Sequence, residues 1–173
     1  MNTYDYLETP LGRMLLVSSE KGLCGAHFVG QKYFPKLDPS WKREKSRASR
    51  ELEEYFSGRR KKFDLPLAAE GTPFQRAVWR EIAKVPFGET ITYAELARRA
   101  GFPGSARAAG AATGRNPIGV IVPCHRIVGT NGSLTGYAGG LDRKKALLAL
   151  EGLAPSPSRR RPLRAAAEPA RPG

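Results

Sequence analysis

The run I-G-V-I-V-P-C-H-R at residues 118–126 decides how the chain is read. Its β-branched residues lead to Pro123 and deliver one cysteine, Cys124, beside one histidine, His125. The pattern predicts a short buried strand whose end holds a reactive group in a fixed place. Proline fixes φ and lacks an N–H, so it stiffens the backbone just before the thiol. A thiol at its ordinary pKa of ~8.5 is mostly protonated at neutral pH, and a nearby base with oriented donors is needed to make it a nucleophile. The plain alternative is a buried structural cysteine, a common fate of free thiols. The flanking segments decide between the two.

Upstream, Thr72-Pro73-Phe74-Gln75 reads as a capping box with proline at the first helical position. Phe74, Val78, Trp79 and Ile82 follow at helical spacing, and V-P-F-G-E at 85–89 breaks that helix. Thr92-Tyr93-Ala94-Glu95 is a second capping box, opening a short helix that Gly101 closes. Residues 102–104 turn the chain, and Ser105 is placed to cap a third helix reaching about Arg115. Two short helices joined by a Gly/Pro turn outline a helix-turn-helix. The second is nearly all small residues, S-A-R-A-A-G-A-A-T-G-R, with Arg107 alone near its start. It offers little to read base edges with. Tight packing would explain the small residues, but Gly110 costs ~1 kcal/mol against alanine there, which favours a surface built for close approach. A single arginine on such a surface suits a wedge in a base stack.

Downstream, residues 128–137 (V-G-T-N-G-S-L-T-G-Y) form a turn-rich hairpin or loop, followed by Ala138, Gly139 and Gly140. Glycines there suit the wall of a pocket for a flat ligand. A helix is expected over 141–151, burying Leu147, Leu148 and Leu150 and ending at Gly152. Residues 153–173 are rich in Pro, Ala and Arg and read as a disordered basic tail. The N-terminal part, 1–68, reads as an antiparallel meander with strands at 3–8, 13–17 and 23–29, then a Pro-containing loop and an amphipathic helix at 44–56. Cys24 and His27 fall in the third strand on opposite faces, where ordinary packing explains them. Nothing in that part looks chemical.

The 173 residues suffice for one domain or two small ones. We divide them into a scaffold domain at 1–68, a functional domain at 69–152 and the tail. No segment approaches the ~20 apolar residues of a membrane span, and residues 1–10 show no secretory signal. Two free cysteines point to a reducing, cytoplasmic setting. Two cysteines and two histidines do not make a structural zinc site, so neither metal nor cofactor is expected. The net charge of +13 is spread over 41–62 (nine basic, four acidic), 70–151 (eleven, six) and 153–173 (five, one), while 1–40 is neutral. Excess positive charge on folded and tail segments alike suggests a polyanionic partner, nucleic acid first.

Taken together, these segments resemble the O6-alkylguanine-DNA alkyltransferases, also called methylated-DNA–protein-cysteine methyltransferases. The resemblance rests on F-Q-R-A-V-W at 74–79, P-F-G-E-T-I-T-Y at 86–93, A-R-A-A-G-A-A-T-G-R-N-P at 106–117, I-V-P-C-H-R-I-V at 121–128, G-Y-A-G-G at 136–140 and K-A-L-L-A-L-E at 145–151, in family order. The N-terminal half is similar in outline only, through its strands and the E-L-E-E-Y-F-S-G helix. The resemblance implies an α+β fold: an N-terminal antiparallel sheet with a helix, ribonuclease-H-like, joined to a mostly helical, winged-helix-like domain with a helix-turn-helix. It implies Cys124 as alkyl acceptor, His125 activating it through a bound water, and Glu151 orienting that histidine. Tyr93 would donate to N3 of the leaving guanine and crowd the phosphate on its 3′ side. Arg107 would fill the hole left by the extruded base, and Asn116 would tie the recognition helix to the thiol segment. DNA contacts are implied for Ser105, Ala106, Thr113, Arg115 and Arg126. Pro123, Ile127, Tyr137, Ala138 and Gly139 would line the alkyl pocket. The expected partner is double-stranded DNA carrying alkylated guanine, met by a monomer that associates with the nucleoid if bacterial. Two departures stand out: the N-terminal zinc ligands of some members are unmatched, and Ala138 stands where some relatives carry a hydroxyl. A cysteine hydrolase would also use Cys, His and a carboxylate, but would leave the helix-turn-helix without a purpose. A non-enzymatic DNA-binding module would not need Cys124.

Overall fold

Turn signals between apolar stretches fold the N-terminal segment into a meander in the computed structural model, which describes residues 1–153. The tail expected from Leu153 onward therefore lies almost wholly outside the described residues. Strands β1 (Thr3–Thr9), β2 (Gly12–Ser19) and β3 (Gly22–Phe28) pair antiparallel, and a two-residue strand β4 (Lys42–Arg43) adds parallel to β1, giving the order β3-β2-β1-β4. Gly22, at φ 141°, is required: a Cβ there would lie 2.5 Å from the carbonyl oxygen of Pro66. The middle strand buries Met14, Leu15, Leu16 and Val17 in succession, so both its faces are covered. Helix α1 (Ala48–Phe56) starts later than its amphipathic pattern suggests. The preceding residues are drawn to β1 instead: Glu44 N–H bonds the Tyr4 carbonyl at 2.9 Å and Ser46 N–H bonds Asp5 Oδ2 at 3.0 Å.

The contacts sort into two compact units, Met1–Glu70 with Pro117–Ile121, and the rest of the described chain. Part of the thiol-bearing run thus belongs with the N-terminal sheet. Ala26 N–H bonds the Pro117 carbonyl at 2.8 Å, and Gly119 N–H bonds the Ala26 carbonyl at 2.9 Å. Here the expectation of a buried strand at 118–123 is corrected. Pairing stops after the single bridge Ala26–Ile118, because Val120 sits at φ 69° and turns the chain away. Such a conformation costs a β-branched residue roughly 1–3 kcal/mol. Tight turns then close from Ile121 N–H to Gly119 and from Cys124 N–H to Val122, at 2.7 and 2.8 Å.

In the second unit, α2 (Pro73–Ala83) opens on a complete capping box: Thr72 Oγ1 accepts from Gln75 N–H at 3.1 Å, and Gln75 Oε1 accepts from Thr72 N–H at 3.0 Å. Strand β5 (Ile91–Thr92) leads into α3 (Tyr93–Arg99), where Thr92 Oγ1 accepts from Glu95 N–H at 3.1 Å. Glu95 does not complete a second box, since its carboxylate is taken by Arg98 and Arg99. Gly101 (φ 95°) ends α3, and α4 (Ala106–Gly114) follows the turn, with Ser105 at the N-cap position but without a side-chain capping bond. The Trp79 indole N–H bonds the Ala112 carbonyl at 2.8 Å and fixes α2 against α4. A 3₁₀ turn (Cys124–Arg126) carries the reactive pair, then β6 (Ile127–Val128) pairs parallel to β5, and α5 (Leu141–Leu150) completes the unit.

Candidate active site

The 3₁₀ turn places three side chains of different chemistry on consecutive residues. Cys124, His125 and Arg126 are 6%, 0% and 5% exposed. The thiol is held by Asn116, whose Nδ2 donates to Cys124 Sγ at 3.2 Å and to the Val122 carbonyl at 2.9 Å. Asn116 follows directly on the C-cap of α4, so one amide ties the end of that helix to the thiol. Burial pushes the Cys124 thiol up; the Asn116 hydrogen bond and the nearby Lys144 charge offset part of that rise.

His125 Nε2 lies 2.8 Å from Glu151 Oε2, just past the end of α5. Facing a carboxylate, Nε2 carries the proton, which leaves Nδ1 as the basic nitrogen. That Nδ1 is buried and has no hydrogen-bond partner among the described residues. Burial holds the histidine below its ordinary pKa despite the carboxylate, so it is neutral at neutral pH. Burial would raise Glu151, but the hydrogen bonds from His125 and Arg126 and the Arg126 charge outweigh it and keep the carboxyl ionised. A carboxylate bonded to a neutral imidazole, on the residue next to a buried thiol, puts a base and a nucleophile on one turn.

Arg126 was expected on the DNA surface, and the structure corrects that assignment. Its Nε and Nη2 grip Glu151 Oε1 and Oε2 at 2.8 Å each, and Nη1 donates to the Val85 carbonyl at 2.6 Å. A bidentate pair satisfies the guanidinium inside the protein. Gly88 N–H adds a bond to Glu151 Oε1 at 3.2 Å, which gives residues 85–89 a part in the site. Thr113, another expected DNA contact, is 7% exposed and turns its hydroxyl back to the Ala109 carbonyl at 2.7 Å. Arg107 and Arg115 are exposed on and just after α4, while Ser105 and Ala106 are half-buried at its start. Gly110 faces protein: a Cβ there would meet the Tyr93 ring at 3.6 Å.

Tyr93, the first residue of α3, is half-buried, and burial raises its phenol so that it stays protonated. Among the expected pocket residues, Pro123, Ile127 and Gly139 are buried and Tyr137 and Ala138 are half-buried. Lys144 is a buried charged side chain that the sequence reading missed. Fully buried, it donates to the Ile127 carbonyl at 2.7 Å and the Thr135 carbonyl at 2.8 Å, with Nζ 5.9 Å from the Tyr93 ring centre. The signal was available: 144, 147, 148 and 151 share one helical face, whereas Leu150, expected to be buried, is half-exposed.

Residues 73–153 match the DNA-binding domain of 6-O-methylguanine DNA methyltransferase, and residues 2–69 match its ribonuclease-like domain. A methylated-DNA–protein-cysteine methyltransferase of Methanosarcina acetivorans is 49% identical over 86% of this chain and 97% of its own length. The enzyme of that name from Mycolicibacterium paratuberculosis is 44% identical over 87% of this chain and 93% of its own. Among solved structures, the O6-methylguanine methyltransferase of Mycobacterium tuberculosis superposes with a TM-score of 0.78 at 41% identity, covering 87% of this chain and 93% of that one. The OGT of that organism in complex with DNA gives 0.80 at 41% identity, over 86% and 92%. With matches of this length over both units, and a buried thiol, imidazole and carboxylate in the second, the chain belongs to the methylated-DNA–protein-cysteine methyltransferase family.

Proposed function

We infer that the chain repairs DNA by direct reversal of alkylation, moving the alkyl group from O6 of guanine onto Cys124. The observation that carries this reading is the buried series Cys124, His125 and Glu151 in the same unit as the helix-turn-helix. The lesion lies within the base stack, so the nucleotide is extruded first, at a cost of a few kcal/mol that is lower for a poorly pairing base. Arg107, exposed on α4, enters the stack in its place. The thiol proton passes to His125 Nδ1 through a bridging water, and Glu151 stabilises the imidazolium. Sulfur attacks the alkyl carbon in line; the S–C bond forms, the C–O6 bond breaks, and the electron pair stays on guanine. The Tyr93 hydroxyl donates to N3 and meets the developing charge.

The product is a thioether, which water does not hydrolyse, so each molecule reacts once. The thiolate is the nucleophile and guanine the leaving group, and the transfer calls for no cofactor. O4-methylthymine presents the same alkyl–oxygen bond and is a second substrate in this reading. The protein works as a monomer on duplex DNA, in the cytoplasm or on the nucleoid. Among the described residues no helix is long and apolar enough to cross a membrane. Incubation with a duplex carrying radiolabelled O6-methylguanine tests the reading: the label moves from DNA to protein. Label remaining on DNA, with repeated turnover of a model acyl ester, would replace it with a cysteine hydrolase.

A further inference from the structure

Basic residues outnumber acidic ones over 41–62, and the alkyl-transfer reading uses none of them. Part of the excess is neutralised within the fold: Arg60 meets Glu51 and Glu54, Arg50 meets Glu54, and Arg43 meets Asp5. Lys45 and Arg47 are left over, exposed and without an ion pair among the described residues. Both line a cavity of about 320 Å³ built wholly within the N-terminal unit. Lys21, on the β2–β3 turn, lines it too and is likewise exposed and unpaired among the described residues. The carboxylates of the lining are Glu20, held by the terminal amino group at 3.7 Å, and Glu44. Cations therefore dominate.

The walls are held by other groups, which leaves the three cations free to meet a ligand. Leu23 N–H bonds the Pro66 carbonyl at 3.0 Å and fixes the β2–β3 turn to residues 65–66. Ser46, 8% exposed, donates its N–H to Asp5 Oδ2 at 3.0 Å, and its Oγ accepts from Ala48 N–H at 3.1 Å. Thr3 and Ser18, partners across the β1–β2 ladder, also line the cavity. Neither of their hydroxyls has a hydrogen bond among the described residues, so both are donors to spare.

We propose that this cavity is a phosphate-binding site outside the helix-turn-helix, taking one phosphate group of a DNA strand or of a free nucleotide. A phosphate presents several acceptor oxygens around a full negative charge, which suits three cations and two hydroxyls converging from different segments. The Arg47 guanidinium can grip two oxygens at once, while Lys21 and Lys45 act as point charges. A carboxylate, with two oxygens, would leave most of these donors idle. The volume lies at the small end of ligand pockets, which run from about 300 to 1,000 Å³, and so fits one nucleotide unit.

The amide signals of Gly22, Ser46 and Ala48 in nitrogen-15-labelled full-length protein read the cavity directly. At constant ionic strength, inorganic phosphate and thymidine monophosphate should both move them saturably, and thymidine, which lacks the phosphate, should not. The triple variant Lys21→Gln, Lys45→Gln, Arg47→Gln should lose those shifts; its changes are all exposed, and unmoved Leu15 and Leu16 amides would show that it is folded. A short unmodified duplex separates the two sources. If DNA supplies the phosphate, the triple variant should lose about one unit of the log–log salt slope of duplex affinity. If a free nucleotide supplies it, that slope should stay while the monophosphate shifts vanish. Amides that ignore phosphate, nucleotide and duplex alike, that respond to thymidine, or that move as far in the triple variant overturn the proposal. Neither readout uses alkyl transfer, so such a result would leave the function inferred above standing.

Discussion

At Glu151 two carboxylate oxygens serve three residues: His125, Arg126 and the Gly88 amide. The carboxylate is therefore structural and chemical at once. Arg126→Met would leave a buried charge with half its partners, and truncation of such a pair costs about 3–5 kcal/mol. Urea unfolding should show that loss, while the salt dependence of affinity for unmodified DNA should not change, because the guanidinium contacts no solvent-facing phosphate site. A flattened salt slope in a folded Arg126→Met protein would return the residue to the DNA surface. At this scale the sequence was uneven as a guide. Cys124 and His125 were legible because a thiol beside an imidazole after proline has few structural uses, and the family resemblance extended that to Glu151 and Asn116. Arg126 was not legible, because arginine in a basic protein reads as a phosphate contact until its carboxylate is seen.

Among the elements, α4 bears on both stability and recognition. Gly110 lies within the helix, and an added Cβ would meet the Tyr93 ring at 3.6 Å, an ordinary contact. Gly110→Ala should therefore stabilise the protein by up to about 1 kcal/mol through helix propensity. A lower melting temperature in that variant would show that the Tyr93 ring cannot tolerate the methyl group. The Arg107 side chain, exposed near the start of α4, has no hydrogen bond or ion pair among the described residues. If it props the stack open, Arg107→Ala should slow repair in duplex far more than reaction with the free modified base, and equal losses on both would remove the wedge. The starts of α2 and α3 were well marked in the sequence, since Thr72 and Thr92 both accept the expected bonds, whereas α1 begins later than its pattern suggests and Ser105 makes no capping bond. The irregular path before Cys124 was hidden: β-branched residues usually signal a strand, and here the backbone turn at Val120 overrides that preference. Lys144 was passed over although it shares a helical face with Leu147 and Leu148, since a lysine is ordinarily read as solvent-facing.

Over the whole molecule, charge and pH set the working conditions. His27 is buried in β3 with Nδ1 unpartnered, and burial lowers it from 6.5 to about 4. A group depressed in the folded state contributes fully above its unfolded pKa and loses that contribution as pH falls toward the folded value. Stability should thus decline between about pH 6.5 and 4, by at most about 3 kcal/mol from this residue. His27→Gln should shrink the decline in urea unfolding, and an unchanged pH profile would clear His27 of it. The excess of basic residues should make affinity for DNA fall roughly linearly with salt on logarithmic axes. Deleting residues 153–173, with five basic side chains and one acidic, should flatten that slope; an identical slope would make the segment a bystander. The return of Pro117–Ile121 to the N-terminal sheet was not readable in the sequence, because a single bridge leaves no periodic trace. The central claim is that Cys124 is the permanent acceptor, and intact-mass measurement after treatment with excess methylated duplex tests it most directly. Each active chain should gain the mass of one methyl in place of one hydrogen, located on the peptide containing P-C-H-R, and Cys124→Ser should gain none. Methyl on Cys24, or many lesions repaired per chain, would contradict the account.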